Sequence, residues 1–223
     1  MHESIFYVNK TIENQWSRSE LEKAIATNLY KRQENHTNNF KKTLPNADSA
    51  LAKDMMKGVY HLGMIQMPKK TKEVDLEKAL IQHMTEFLTE LGKGFAYMGK
   101  QYPIKVGTKE YKIDLLFYHT ILRCYIVIEL KTKDFEPDFA GKLAFYITSV
   151  DKLIKNPVDN PTIGILLCKG KDDVVVDFAL EGICKPMGVG TLSYTELSEQ
   201  IKDALPSLEE LQNELHKFEL DDE

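Results

Sequence analysis

The chain is short of most features that declare a class at once. Only three cysteines occur in 223 residues, at 124, 168 and 184. They are widely spaced, and Cys124 and Cys168 sit inside apolar runs. That argues for reduced structural thiols in a cytoplasmic protein rather than a disulfide frame or a zinc site. No run of about eighteen apolar residues exists, so no membrane-spanning helix is encoded. The opening MHESIFYVNK lacks the basic and then apolar layout of a secretory leader. There is no glycine-rich phosphate loop and no GxSxG elbow. His36, His61 and His83 show no metal-ligand spacing with a cysteine or another histidine. Internal repeats and low-complexity blocks are also lacking.

An overall basic charge is missing too. The chain carries 29 basic against 34 acidic residues, net −5, where a globally basic chain would have pointed to nucleic acid. The acid excess is concentrated in the tail LEELQNELHKFELDDE, which holds seven acidic residues and one lysine. The remainder has 28 basic and 27 acidic residues, which leaves room for a local basic groove. With 43% hydrophobic and 28% charged residues, the composition is that of an ordinary globular protein of one or two domains.

Periodicity supplies the coarse architecture. SRSELEKAIATNLYKRQ opens on a capping box, Ser17 and Glu20, and continues with Leu21, Ile25 and Leu29 at helical spacing. The polar stretch Asn35 to Asp48 reads as a linker, and a short helix follows over 47–57. Leu76, Leu80, Met84, Phe87, Leu88 and Leu91 predict one helix from Val74 to Leu91, stopped by the glycines at 92 and 94. The period then changes to that of strands over Phe95–Val106, Tyr111–His119 and Arg123–Leu130, whose short connections make them antiparallel. A helix over Pro137–Lys155 and a strand near Ile163–Leu167 complete a right-handed crossover, parallel to the strand ending at Leu130. Val174–Leu180 fits either a strand or a helix, and Val189–Tyr194 reads as a last strand. The expected fold class is α/β, a mixed β-sheet flanked by helices. A helical N-terminal segment spans 1–57, the sheet-bearing domain 72–206, and an acidic C-terminal helix or tail 207–223. Leu208, Leu211 and Leu215 lie on one face of that tail, so the terminal helices are candidate surfaces for a homo-oligomer.

Three charges stand out within the apolar stretch IDLLFYHTILRCYIVIELK, residues 113–131, because carboxylates and lysines are rarely buried unless paired or ligating. Glu129 and Lys131 are two apart and share a strand face. Counting outward from a hairpin tip between Ile121 and Leu122 puts Asp114 opposite Glu129, with Cβ atoms about 5 Å apart. Two carboxylates that close repel unless a cation lies between them. Mg2+, with Mn2+ as a substitute, suits one or two carboxylates together with the Leu130 carbonyl, and leaves room for water and a substrate phosphate. A neighbouring lysine can orient water or stabilise phosphate charge. Together these parts suit metal-dependent phosphodiester hydrolysis, with surface ion pairing as the bland alternative. His119, at the hairpin tip, reads as a turn residue. Lys100, Lys105, Lys109, Lys131, Lys133 and Lys142 either line a phosphate groove or are solvated surface lysines.

The blocks DLEKALIQHMTEFLTELGKGFAYMGKQYPI, YKIDLLFYHTILRCYIVIELK, FEPDFAGKLAFY and DNPTIGILLCK occur in an order that resembles the YhcG-type bacterial family of PD-(D/E)xK nucleases. The resemblance covers 74–205. TIENQWSRSELEKAIATNLYKR is similar to the end of that family's N-terminal helical domain. The resemblance implies a restriction-endonuclease-like fold, a DNA substrate, and Asp114, Glu129 and Lys131 as the catalytic core. It also implies a glutamate on the helix before the first strand, and the antiparallel packing of that helix favours Glu77 over Glu90 as a further metal contact. Where the family tends to have a glutamine and, four residues on, a tyrosine, this chain has Lys142 and Tyr146. On one helix face, Lys142 either contacts DNA phosphate or marks weakened catalysis, leaving a DNA-binding or assembly module; Tyr146 is either a DNA contact or core packing.

Overall fold

In chain order, the computed structural model describes residues 2–34, 37–68 and 72–197. Helices α1 (His2–Asn14), α2 (Arg18–Ala26) and α3 (Leu29–Glu34) come first. Strand β1 (Thr37–Asn38), helices α4 (Phe40–Thr43) and α5 (Asn46–Met55) and strand β2 (Val59–Pro68) follow. Then come α6 (Glu73–Gln82), α7 (Met84–Leu91), β3 (Phe95–Val106), β4 (Lys109–His119) and β5 (Cys124–Leu130). The chain continues through α8 (Pro137–Leu153), β6 (Ile163–Cys168), α9 (Asp173–Glu181) and β7 (Met187–Leu197).

The strands build one mixed sheet in the order β1-β7-β6-β5-β4-β3, with β2 also paired to β7. The pairs β5–β6, β6–β7 and β2–β7 are parallel, and β1–β7, β3–β4 and β4–β5 antiparallel. The parallel pairing of β5 with β6, joined through α8, is the one the sequence predicted. Central strand β6 is buried along its whole length, as a parallel strand covered on both faces should be. One core, with Phe87, Leu115, Phe117, Ile126, Ile128 and Ile165, lies under α6 and α7. The other, with Leu116, Val127, Leu143, Ile147, Leu166 and Val176, lies under α8 and α9. This is the α/β fold class expected from the sequence, a mixed sheet flanked by helices. Gly164 lets α8 approach β6: a Cβ there would stand 2.7 Å from Ile147 Cδ1 and 2.8 Å from Leu143 Cγ.

The Ser17–Glu20 capping box is present: the Ser17 N–H donates to Glu20 Oε2 at 2.7 Å. A small separate core of Tyr7, Ala24 and Leu29 joins α1 to α3. Arg32 ties this unit to the sheet, donating to Glu90 Oε1 at 2.5 Å and to the Val59 carbonyl at 3.1 Å.

Two sequence expectations are corrected. Residues 35–48 are not a linker: among those described, Phe40 is fully buried, and the Asn39 side chain donates to the Ile183 and Lys185 carbonyls while accepting from the Met187 N–H. Polar composition misled because this asparagine satisfies buried backbone groups. The single helix over 74–91 is two, broken at His83 (φ −109°, ψ 38°), with no proline or glycine to mark the break. The ambiguous run at 174–180 is helix α9. No helix among the described residues is long and apolar enough to cross a membrane. The tail 207–223, the end of the 72–206 region and His36 lie outside the described residues.

Candidate active site

Strands β4 and β5 pair from His119–Cys124 back to Leu115–Ile128, the register counted from the sequence. One step further come Asp114 and Glu129. Here the ladder gives way to side chains: Asp114 Oδ2 accepts from the Leu130 N–H at 2.9 Å. This fixes the carboxylate at the end of the hairpin, where β5 leaves the sheet.

Glu129 is completely buried. Its Oε1 accepts from Lys131 Nζ at 3.0 Å and also from Lys142 Nζ. Its Oε2 is buried with no hydrogen-bond partner. An orphaned carboxylate oxygen in the interior costs about 1–3 kcal/mol or more, so the site is incomplete as a purely internal ion pair. Lys131, itself buried, also donates to the Leu130 carbonyl at 2.9 Å and to Glu73 Oε2 at 3.2 Å, and stands 5.4 Å over the Phe139 ring. Burial acts to lower its pKa, but the charge and hydrogen bond of Glu129 and the charge of Glu73 outweigh it, so the ammonium is held above the usual lysine value. Lys142 projects from α8 with its side chain 46% exposed and its Nζ 5.4 Å over the Tyr146 ring. Tyr146 is buried and packs in the α8 core.

Burial, and then the nearby charge of Glu129, push the Asp114 carboxyl up to about 6, against the opposing pull of the Leu130 N–H, Lys131 and Lys142. Glu77, also buried, reaches this group at one remove: the Gln101 side-chain amide donates to Glu77 Oε2 and, at 3.3 Å, to Asp114 Oδ1. Glu90 lies elsewhere, paired with Arg32 and Lys57. The structure thus brings Asp114, Glu129, Lys131, Lys142 and, through Gln101, Glu77 to one place. Among the described residues no three His, Cys, Asp or Glu side chains form a ready-made metal cage. The donor set is instead two carboxylates beside one backbone carbonyl. Four carboxyl groups (Glu73, Glu77, Asp114, Glu129) face two ammonium groups. The formal excess of negative charge and the free Glu129 oxygen fit a divalent cation.

Glu73 and Gln101 escaped the sequence reading. Gln101 was findable: counting back equally from the turn at Gly107 and Thr108 sets it opposite Asp114, between the observed pairs Lys100–Leu115 and Tyr102–Ile113. His119 is buried at the other end of the hairpin, its Nδ1 accepting from the Leu122 N–H at 3.1 Å and its Nε2 3.1 Å from the Lys93 carbonyl.

Comparison with known proteins bears on this site. Residues 53–216 match the family described as the YhcG PDDEXK nuclease domain. The chain is 30% identical over 213 residues to "Putative nuclease YhcG" of Escherichia coli (strain K12), across 94% of this chain and 54% of that protein. It therefore spans about half the length of that curated relative. Among solved structures, a repair endonuclease from Pyrococcus abyssi aligns over 58% of this chain and 48% of its own at 15% identity, TM-score 0.36. An EndoMS–dsDNA complex aligns over 55% and 45% at 16% identity, TM-score 0.37.

Proposed function

Since the chain belongs to the YhcG family of PDDEXK nucleases, we propose that it hydrolyses phosphodiester bonds of DNA with a divalent ion, Mg2+ or in its place Mn2+. PDDEXK nucleases generally depend on a divalent metal. The observation that carries the reading is the Glu129 carboxylate, buried beside Asp114 and the Leu130 carbonyl with one oxygen unpartnered. Asp114, Glu129 and the Leu130 carbonyl would hold the ion, and Glu77 supports them through Gln101. When bound, such an ion stabilises charge on the phosphate and lowers the pKa of attached water.

Lys131 keeps its ammonium charge at the edge of this group, where it can orient an attacking water or face the phosphate oxygens. Lys142, half-exposed on α8, leaves Glu129 for a DNA phosphate in this reading. Tyr146, packed in the core, presents its ring to the Lys142 ammonium. In this assignment the chemistry belongs to residues 72–206, and the helices within 1–57 add a second surface.

One observation favours a second reading. Lys142 occupies Glu129 Oε1, and a lysine that stays there makes the chain an inactive DNA-binding module. Incubating the purified protein with Mg2+ and supercoiled, linear or single-stranded DNA separates the two. The nuclease reading expects cleavage that Asp114→Ala and Lys131→Ala abolish while circular dichroism is unchanged. Metal-independent DNA binding with no cleavage of any form supports the second reading, and equal cleavage by the variants overturns the site assignment.

A further inference from the structure

Gln101 has a left-handed backbone, φ +43°, in the middle of strand β3. This region strains any residue with a side chain; glycine occupies it freely and asparagine tolerates it best among the rest. The strand already has glycine at 99, at the register shift between Tyr97 and Gly99. A glutamine in a strained conformation between two regular pairs points to a role for its side chain.

The contacts show what it does. Glu77 Oε2 and Asp114 Oδ1 both accept from the Gln101 Nε2 group. With carboxylate acceptors on both sides, the donor face of the amide is the one that must point inward. Asp114 is consequently held from two directions, by the Leu130 N–H on Oδ2 and by Gln101 on Oδ1. Among the described residues, this amide is the hydrogen-bond link between Glu77, on α6, and the strand pair.

We propose that Gln101 is a positioning residue of the nuclease site: its strained backbone aims an amide between Glu77 and Asp114 and sets the orientation in which Asp114 meets a divalent ion. This rests on the reading of Asp114 and Glu129 as the metal-holding pair. Groups that orient a metal-holding side chain typically influence affinity by about 10–100-fold.

The test compares the wild type with Gln101→Gly, Gln101→Ala and Asp114→Asn, using thermal unfolding in EDTA, Mn2+ binding by electron paramagnetic resonance, and kcat and KM. Gln101→Gly relieves the backbone and removes the amide. It should unfold at or above the wild-type temperature, yet bind Mn2+ at least about 10-fold more weakly, with the loss in kcat rather than KM. Gln101→Ala keeps the strain and should combine the same Mn2+ defect with a lower unfolding temperature. A Gln101→Gly protein with wild-type Mn2+ affinity, whatever its stability, overturns the positioning role. Wild-type protein that binds Mn2+ no better than Asp114→Asn overturns the metal-site reading itself, and the role of Gln101 with it.

Discussion

Replacing Asp114 with asparagine should stabilise the metal-free protein at pH 8 and leave its stability unchanged near pH 4. The cause is the environment of the carboxyl, which burial and then the Glu129 charge push up to about 6 from 3.8. A folded-state pKa raised above the unfolded value means that the contribution is fully present below about pH 4. It is lost as pH rises through about 6, because ionising Asp114 is harder in the folded protein. A gap of about two pH units is equivalent to about 3 kcal/mol at most. Rearrangement of the half-exposed Lys142 reduces this to about 1–2 kcal/mol. Asparagine keeps the shape and can still accept from the Leu130 N–H, so packing is preserved. Urea unfolding of both proteins in EDTA at several pH values measures the difference directly. If Asp114→Asn is less stable at pH 8, or if its advantage does not change with pH, the raised pKa of the Asp114 carboxyl through burial and the Glu129 charge is refuted. The same variant should bind no divalent ion at the site.

Further expectations follow from the contacts around the site and the sheet. Lys142→Met removes a cation that competes for Glu129; Mn2+ affinity should rise about 10-fold by calorimetry, taking the charge-assisted hydrogen bond at the low end of its range. If Lys142 also meets a phosphate, the salt slope of DNA binding should fall by about 0.9. Phe40→Ala, at a fully buried position, should destabilise the protein by about 3–5 kcal/mol in urea; a loss below 1 kcal/mol would return residues 37–57 to the status of an appendage. Gly164→Ala drives a methyl group into Ile147 and Leu143 and should cost about 1–3 kcal/mol in urea unfolding.

The site was legible wherever chain spacing alone decides geometry. Asp114, Glu129 and Lys131 lie on one apolar hairpin, and a period of two with a short turn determines which side chains meet. Glu77 was reachable from the direction of its helix, though the Gln101 amide standing between it and Asp114 was not anticipated. Glu73 was hidden because a helix-start acid looks the same in sequence whether it faces water or Lys131. Lys142 was placed near the site, but its partner, Glu129 rather than a phosphate, depends on how closely α8 settles on β6. The segment at 35–48 was misread because buried asparagine and solvated asparagine have identical letters. Thr37, Asn38 and Asn39 join the sheet through pairing with β7, about 150 residues away, and no local pattern reports a partner at that distance.

The most direct measurement is an Mn2+ soak of crystals with anomalous diffraction collected near the manganese edge. The account expects a peak between the Asp114 and Glu129 carboxylates beside the Leu130 carbonyl, with Glu129 Oε2 among its contacts and Lys142 displaced from Oε1. A featureless map at saturating Mn2+, with Glu129 still held by Lys131 and Lys142 and Asp114 still on Gln101, would contradict it.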